Sequence, residues 1–175
     1  MNHDAYDDAR IEAILRSVRR VAMVGASARI MRPSHFVLKY LLAKGYEVDP
    51  VNPGLAGQEI LGRKVFATLA DLPHVPDMVD IFRGAEAAGP ITDEAIRIGA
   101  RVVWMQLGVR DDAAAARAEA AGLAVVMNRC PKIEFGRLSG EISWAGVNSR
   151  ILSSKRGSRS AGFQHRSLRP PEGGG

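Results

Sequence analysis

Apolar runs and amphipathic stretches alternate along most of the chain. The clearest apolar runs, VAMV, VVWM and LAVVM, are hydrophobic at every position rather than at every second one. Runs of this kind are typical of strands that are covered on both faces. The stretches between them place apolar residues three and four positions apart, as Ile11, Ile14, Leu15 and Val18 do, and this spacing predicts helices. The pattern therefore predicts a buried sheet covered by helices.

Turn and capping residues set the boundaries of these elements. We predict helices over 7–18, 34–44, 85–98 and 111–121 and from Pro131 onward, and strands over 20–25, 46–52, 77–82, 101–105 and 123–127. The loop after Pro53-Gly54 is predicted to carry a short strand near 64–66 and one helical turn over 69–72. Because strands and helices alternate, the expected fold class is α/β. We predict a Rossmann-like, doubly wound, mainly parallel five-stranded sheet flanked by helices in a single domain.

Length and composition agree with one ordinary globular domain. The chain has 175 residues, of which 46% are hydrophobic and 25% are charged. Its single cysteine excludes an internal disulfide framework. The first residues, MNHDAYDDAR, are acidic and polar, unlike a signal peptide, and no apolar run approaches the roughly 18 residues of a membrane span. We therefore expect a cytoplasmic protein that does not bind membranes.

The net charge of +5 is concentrated at one end of the chain. Residues 150–175 hold six basic residues and one acidic residue, which leaves 18 of each sign in residues 1–149. This last stretch is rich in Ser, Gly, Pro and Arg and lacks the hydrophobic residues of a core. We therefore divide the chain into a domain over 1–149 and a basic, flexible tail over 150–175, which we expect to be solvated rather than bound to nucleic acid. The stretch GEISWAGVNSRI at the junction is expected to pack back on the domain.

In a doubly wound sheet, ligands bind where the strands end. The first of the loops that follow the predicted strands suits a phosphate, since Gly25 permits a tight turn, Ser27 supplies a hydroxyl and the next helix begins with free N–H groups. Arg29 and Arg32 add positive charge there. The alternative is a tight turn without a ligand. The five loops are Gly25-Ala26-Ser27, Val51-Asn52-Pro53, Phe82-Arg83, Gln106-Leu107-Gly108 and Asn128-Arg129-Cys130-Pro131.

A nicotinamide dinucleotide is one candidate for this ligand. Its fingerprint has three spaced glycines and an acidic residue about 20 positions later that binds the ribose. Here Gly25 stands alone, and Asp49 falls in the middle of the predicted second strand, where a structural role is expected. The tip of that strand is Asn52-Pro53, which cannot accept two ribose hydroxyls as a carboxylate does. An NAD(P)-binding redox protein or sensor is therefore kept as the alternative interpretation.

The loops taken together resemble a known family. The segments VAMVGAS, RPS, GYEVDPVNP, DMVDIFR, VVWMQLGV and VVMNRCPKIE follow one another in order over residues 20–138. This series is similar to the small bacterial CoA-binding proteins, a stand-alone version of the CoA-binding domain in the alpha subunit of succinyl-CoA synthetase. The resemblance implies a Rossmann-like fold and coenzyme A or an acyl-CoA as the ligand. The phosphates of that ligand explain arginines where NAD would require a carboxylate.

The resemblance also implies a role for each loop. Ile30 and Met31 depart from the small residues of some family members after the glycine turn. In the implied arrangement the turn at Gly25, with Ala26 and Ser27, holds the pyrophosphate and Arg29 and Arg32 lie near the phosphates. Asn52 and Pro53 then line the adenosine side, Phe82 and Arg83 border the ligand, Gln106, Leu107 and Gly108 follow the pantetheine arm, and Asn128 and Cys130 lie close to its path.

Few residues suit catalysis. Cys130 is the one candidate nucleophile: a helix N-terminus could lower its pKa, and it could form a mixed disulfide with a CoA thiol, although a buried small residue is the alternative. Lys132 and Glu134 are expected on a helix surface, and Trp104 and Met105 in the core. The histidines share no spacing typical of a metal site or a triad, so we predict no metal site and expect surface or capping positions for His3, His35, His74 and His165.

The resemblance implies a binding module rather than a complete enzyme. Succinyl-CoA synthetase carries its phosphorylated histidine in a second domain, for which this chain has no residues. We therefore expect a protein that binds CoA or an acyl-CoA without chemistry of its own and that acts in regulation or as a carrier. A protein partner is compatible with such a role, and an uncovered edge of the sheet would permit a dimer.

Overall fold

The computed structural model of the protein describes residues 2–141. A five-stranded sheet forms its centre, with the strand order β2-β1-β5-β6-β7 and every neighbouring pair parallel. The sheet comprises β1 (Arg20–Val24), β2 (Glu47–Val51), β5 (Met78–Ile81), β6 (Val102–Met105) and β7 (Ala124–Val126). The helices are α1 (Asp8–Ser17), α2 (Pro33–Ala43), α3 (Ala85–Ile98), α4 (Asp112–Ala120) and α5 (Pro131–Leu138). The predicted fold class is thus confirmed.

The apolar runs occupy the strands because both faces of the sheet are covered. Every residue of β5 and β6 is buried, and β1 is buried at its three central positions. On one face, α1, α2 and α5 pack on Met23, Met78 and Trp104, while α3 and α4 cover the opposite face. A fully buried side chain of this size stabilises the fold by roughly 1.5–3 kcal/mol. Trp104 and Met105 lie in the core, as predicted.

The segment between β2 and β5 contains the predicted helical turn, at Leu69–Asp71, but its strands differ from the prediction. It forms a two-stranded antiparallel hairpin, β3 (Glu59–Ile60) and β4 (Arg63–Lys64), with Leu61 and Gly62 at positive φ in the turn. The predicted strand near 64–66 is displaced towards the start of the segment, since Phe66 pairs only as a single bridge to Val51. The pairing with residues 59–60 was missed because neither two-residue strand carries a periodic pattern.

The hairpin covers the outer edge of β2. Arg63 donates from Nε to the carbonyl of Val48 at 2.9 Å and from Nη2 to Asp49 Oδ1 at 2.9 Å. Phe66 exchanges hydrogen bonds with Pro50 and Asn52. Asp49 therefore has the structural role that its mid-strand position predicted. The chain itself thus covers the β2 edge of the sheet, whereas β7 forms the other edge.

Two histidines are buried, contrary to prediction. His3 and His35 expose 8% and 9% of their surface. His3 shares a hydrogen bond from Nδ1 to the Tyr6 hydroxyl at 2.9 Å, and that hydroxyl accepts the N–H of Met127. The expectation failed because tertiary packing buries both rings, although their hydrogen-bond partners are only three and eight residues away. His74 is exposed, whereas His165 lies outside the described residues.

Glu134 is also buried rather than exposed on its helix. It exposes 7% of its surface and accepts from Nη2 of Arg137 at 2.7 Å. Arg129 Nε lies 3.8 Å from its other carboxylate oxygen. These two guanidinium groups offset the free-energy cost of removing the carboxylate from water. Lys132 is exposed, as predicted.

The final part of the chain is not covered by this description. The predicted tail over 150–175, and all of GEISWAGVNSRI after Glu141, lie outside the described residues. Among residues 2–141, no helix combines the length and apolar character needed to cross a membrane.

Candidate functional site

A cavity of about 610 Å³ opens at the carboxyl ends of the strands. Its volume falls within the range of small-molecule and cofactor sites. The structure brings most of the predicted site residues together in its lining: Gly25, Ala26, Ser27, Arg29, Arg32, Asn52, Phe82, Arg83, Gln106, Leu107 and Cys130. Pro33, Ser34, Val37 and Val109 also line it, whereas Pro53, Gly108 and Asn128 do not.

Gly25 is required at its position for two independent reasons. Its φ is +90°, which side chains disfavour, and a Cβ there would lie 2.5 Å from the carbonyl oxygen of Phe82. The same Cβ would lie 3.0 Å from Cδ of Arg83, so the Arg83 side chain runs beside this turn. The turn therefore brings the backbone after β1 close to the loop after β5.

Two side chains hold the carbonyl groups of the loop after Gly25. Asn52 donates from Nδ2 to the carbonyl of Ala26 at 2.8 Å, and His35 donates from Nδ1 to the carbonyl of Ser27 at 3.2 Å. In a trans peptide the N–H points opposite to the preceding C=O. The N–H groups of Ser27 and Ala28 therefore point away from these two side chains. Neither N–H has a hydrogen-bond acceptor among residues 2–141.

The helix that follows this loop adds to the same set of donors. Helix α2 begins at Pro33, and its N-cap residue Arg32 provides no side-chain hydrogen bond to the first turn. Ser34, in that first turn, is buried and lines the cavity. Uncapped N–H groups and the helix dipole favour an anion at such a terminus. The loop and the helix thus present backbone donors to one region of the cavity.

Three guanidinium groups surround these donors. Arg29, Arg32 and Arg83 are exposed, and none of them forms an ion pair with a carboxylate within the described part of the chain. Other arginines, such as Arg63 and Arg101, are paired with acidic residues. Unpaired positive charge beside free N–H groups is the electrostatic environment that a phosphate requires.

Asn52 contributes to the site mainly by shaping it. Besides holding Ala26, it accepts the N–H of Gly54 on Oδ1 at 2.9 Å. Both ends of its amide thus bind the protein, and the side chain connects the ends of β1 and β2. Pro53 begins a short 3₁₀ turn over Pro53–Leu55 and is exposed outside the cavity lining.

Gly108 and Asn128 connect two loops instead of lining the cavity. The Gly108 N–H donates to Asn128 Oδ1 at 2.8 Å, and both residues have positive φ. This hydrogen bond holds the loop after β6 against the loop after β7. Leu107, between the loops and the cavity, remains 57% exposed. Gly108 and Asn128 lie near the strand ends, as predicted. Their hydrogen bond joins the two loops, and neither residue lines the cavity.

Cys130 lies in the cavity lining and is buried, as in the second of its two predicted roles. Burial raises the pKa of its thiol, and the nearby Asp80 raises it further. Backbone N–H groups at the start of α5 act in the opposite direction and do not prevail. Of the two interpretations of Cys130, the buried small residue fits and the lowered pKa does not, because the residue is 7% exposed and desolvation outweighs the helix terminus.

Asp80 is the residue near the site that sequence reasoning missed. It is fully buried in β5, and its Oδ1 accepts from Nε2 of Gln106 at 2.7 Å. Burial raises its pKa to about 8. Its Oδ2 is enclosed and has no partner in the described residues. The one signal in the sequence was an acidic residue inside the apolar run MVDIF.

The family model described as CoA binding domain matches residues 19–136. These residues include every strand of the sheet and the whole lining of the cavity. The chain belongs to the CoA binding domain family. The resemblance stated from the loop sequences is thereby confirmed.

Two relatives match this part of the chain over more than nine tenths of their own length. The uncharacterized protein YneT of Bacillus subtilis is 35% identical over 125 residues, which are 71% of this chain and 91% of that protein. A solved structure of a hypothetical protein from Pyrococcus horikoshii is 38% identical with a TM-score of 0.74, covering 79% of this chain and 96% of that one.

A more distant structure shares the fold alone. A dinucleotide-forming acetyl-coenzyme A synthetase from Ca. Korarchaeum cryptofilum has a TM-score of 0.54 at 22% identity. The match covers 63% of this chain and 26% of the synthetase. The CoA-binding-domain protein therefore corresponds in fold to one part of a larger chain.

Proposed function

We propose that this protein binds coenzyme A or an acyl-CoA in the cavity at the strand ends and acts as a carrier or regulatory module without chemistry of its own. The observation that carries the proposal is the cluster of unpaired guanidinium groups on Arg29, Arg32 and Arg83 beside the free N–H groups of the Gly25 loop. These groups suit a bound anion, and because the chain belongs to the CoA binding domain family, we propose that this anion is the phosphate portion of CoA.

In this proposal the pyrophosphate binds the loop at Ala26 and Ser27. Backbone N–H groups there supply hydrogen bonds, and the arginines supply charge. The amide-bearing arm of the ligand follows the wall formed by Phe82, Gln106 and Leu107, where apolar side chains alternate with one amide. The thiol end then lies towards Cys130.

The chemistry of the inner wall supports a binding role. Burial raises the pKa of Cys130, the one candidate nucleophile. This favours the protonated thiol, which is less nucleophilic than the thiolate. His35 uses Nδ1 on the Ser27 carbonyl and positions the loop. The cavity residues described here thus lack a paired nucleophile and base.

Ligand identity is tested by native mass spectrometry of the freshly purified full chain, followed by thermal-shift titrations with CoA, acetyl-CoA, NAD⁺ and NADP⁺. We expect co-purified CoA or acyl-CoA and a rise of several degrees in Tm with CoA at millimolar concentration. A co-purified nicotinamide cofactor, or a larger Tm rise with NAD⁺ than with CoA, would support the alternative redox or sensor function. No shift with any CoA species would overturn the proposal.

A further inference from the structure

Asp80 and Gln106 form a buried polar pair behind the cavity wall. Asp80 is completely enclosed, Gln106 exposes 6% of its surface, and the hydrogen bond between Gln106 Nε2 and Asp80 Oδ1 measures 2.7 Å. The two residues lie near the ends of adjacent parallel strands β5 and β6. Among these two side chains, only Gln106 lines the cavity.

This hydrogen bond determines which end of the Gln106 amide faces the ligand. Oδ1 of Asp80 accepts, so the NH₂ group of Gln106 points at Asp80. Gln106 Oε1 has no partner among residues 2–141, yet unlike Asp80 Oδ2 it is not an enclosed unpaired atom. The amide oxygen is therefore the part of Gln106 that is open to the cavity.

We propose that Asp80 is a positioning residue that holds Gln106 with its oxygen towards the cavity, where this oxygen accepts an N–H of the amide-bearing arm of the ligand. The inference rests on the proposed binding of CoA, whose arm contains two secondary amides. Both amides are N–H donors, and a glutamine oxygen is their matching acceptor. Gln106 thereby selects for the arm and not for the nucleotide end.

The ionised form of Asp80, which has no hydrogen-bond donor, suits this position better than an amide would. An asparagine there would carry an NH₂ group, and the enclosed position of Oδ2 offers that group no acceptor among the described residues. The asparagine NH₂ would therefore turn to Gln106 Oε1, and Gln106 would present its own NH₂ to the cavity. Two donors, the NH₂ of Gln106 and the N–H of the ligand, would then face each other.

This reversal can be measured with two ligands that differ in the arm. Isothermal titration at pH 9, above the pKa of about 8 of Asp80, compares CoA with adenosine 3′,5′-bisphosphate, which lacks the arm and the phosphate that joins it, in the full-length wild type, D80N and the double variant D80N/Q106E. We expect D80N to weaken CoA binding about tenfold and to leave the affinity for the bisphosphate unchanged. In the double variant, the carboxylate introduced by Q106E accepts from the amide introduced by D80N with one oxygen and faces the ligand with the other. CoA affinity should therefore recover.

The outcomes separate this inference from the proposed function. If wild type binds neither CoA nor the bisphosphate, the proposed function fails. If wild type binds CoA and D80N binds it equally well, the inference fails and the proposed function stands. An equal loss for both ligands, or no recovery in D80N/Q106E, would show a merely structural role and overturn the inference. Circular dichroism and Tm of each variant verify that it is folded.

Discussion

At the scale of single residues, Gly25 has the least freedom to change. Its positive φ and the 2.5 Å approach of a hypothetical Cβ to the Phe82 carbonyl act together. Neither the turn after β1 nor the loop after β5 can move away without separating residues that line the cavity together. A side chain at this position therefore affects both stability and ligand binding.

We predict that G25A lowers the free energy of unfolding by about 2–4 kcal/mol. G57A is the matched control, since Gly57 has a φ of +82° but open space around its Cβ position. In G57A, the free energy of unfolding should fall by only about 1 kcal/mol, the cost of placing a side chain at positive φ. Urea unfolding of the three proteins measures both terms. Equal losses in G25A and G57A would show that the close approach at Phe82 is unimportant.

Asp80 is the second residue with a measurable effect, which is on the pH dependence of stability. Burial raises its pKa from 3.8 to about 8, so the folded protein binds this proton more tightly than the unfolded chain does. Its contribution to stability is therefore fully present below pH 4 and is lost as the pH rises towards 8.

We predict that D80N removes this loss. The difference in unfolding free energy, D80N minus wild type, should become more positive by up to about 1.4 kcal/mol per pH unit between pH 5 and pH 8. Denaturant unfolding of both proteins across this range measures the difference, and other titrating groups cancel in it. A difference that does not vary with pH would show that Asp80 titrates in its ordinary range.

At the scale of elements, the ends of β1 and β2 and the start of α2 operate as one unit. Asn52 connects the loop after β1 to the turn after β2, and His35 connects the same loop to α2. These contacts hold carbonyl groups, which leaves N–H groups free for an anion. The phosphate site that we propose at Ala26 and Ser27 thus depends on side chains that need not touch the ligand.

Two variants of Asn52 separate these contacts. N52A removes both hydrogen bonds and should lower the free energy of unfolding by about 1–3 kcal/mol. N52D can still accept the Gly54 N–H, but its carboxylate cannot donate to Ala26. We expect N52D to retain more stability than N52A while its affinity for adenosine 3′,5′-bisphosphate falls at least tenfold. If N52D binds this ligand like wild type, the carbonyl contact does not organise the loop.

At the scale of the whole molecule, the features that could be predicted are those determined by hydrophobic periodicity and by strand topology. The continuous apolar runs required a sheet covered on both faces, and parallel connections bring the five loops to one edge. The candidate lining from Gly25 to Cys130 followed from that arrangement. The covered sheet and the clustering of the five loops do not depend on the orientation of any one side chain.

What could not be predicted depends on partners that are distant along the chain. Asp80 and Gln106 are 26 residues apart and meet only because β5 and β6 pair in register. By contrast, Glu134 and His35 bind partners only three and eight residues away, and what the sequence did not show was their burial. A local pattern gives the helix that carries each residue, but not how deeply that residue is buried.

The proposed function depends on the binding of CoA phosphates by the exposed arginines at the strand ends. It is tested most directly by the Kd for CoA of wild type, the double variant R29A/R32A and the control R97A, whose side chain is exposed on α3 outside the cavity lining. We predict that R29A/R32A weakens CoA binding by at least tenfold and that R97A binds CoA like wild type. An unchanged Kd in R29A/R32A, or an equal loss in R97A, would contradict the claim.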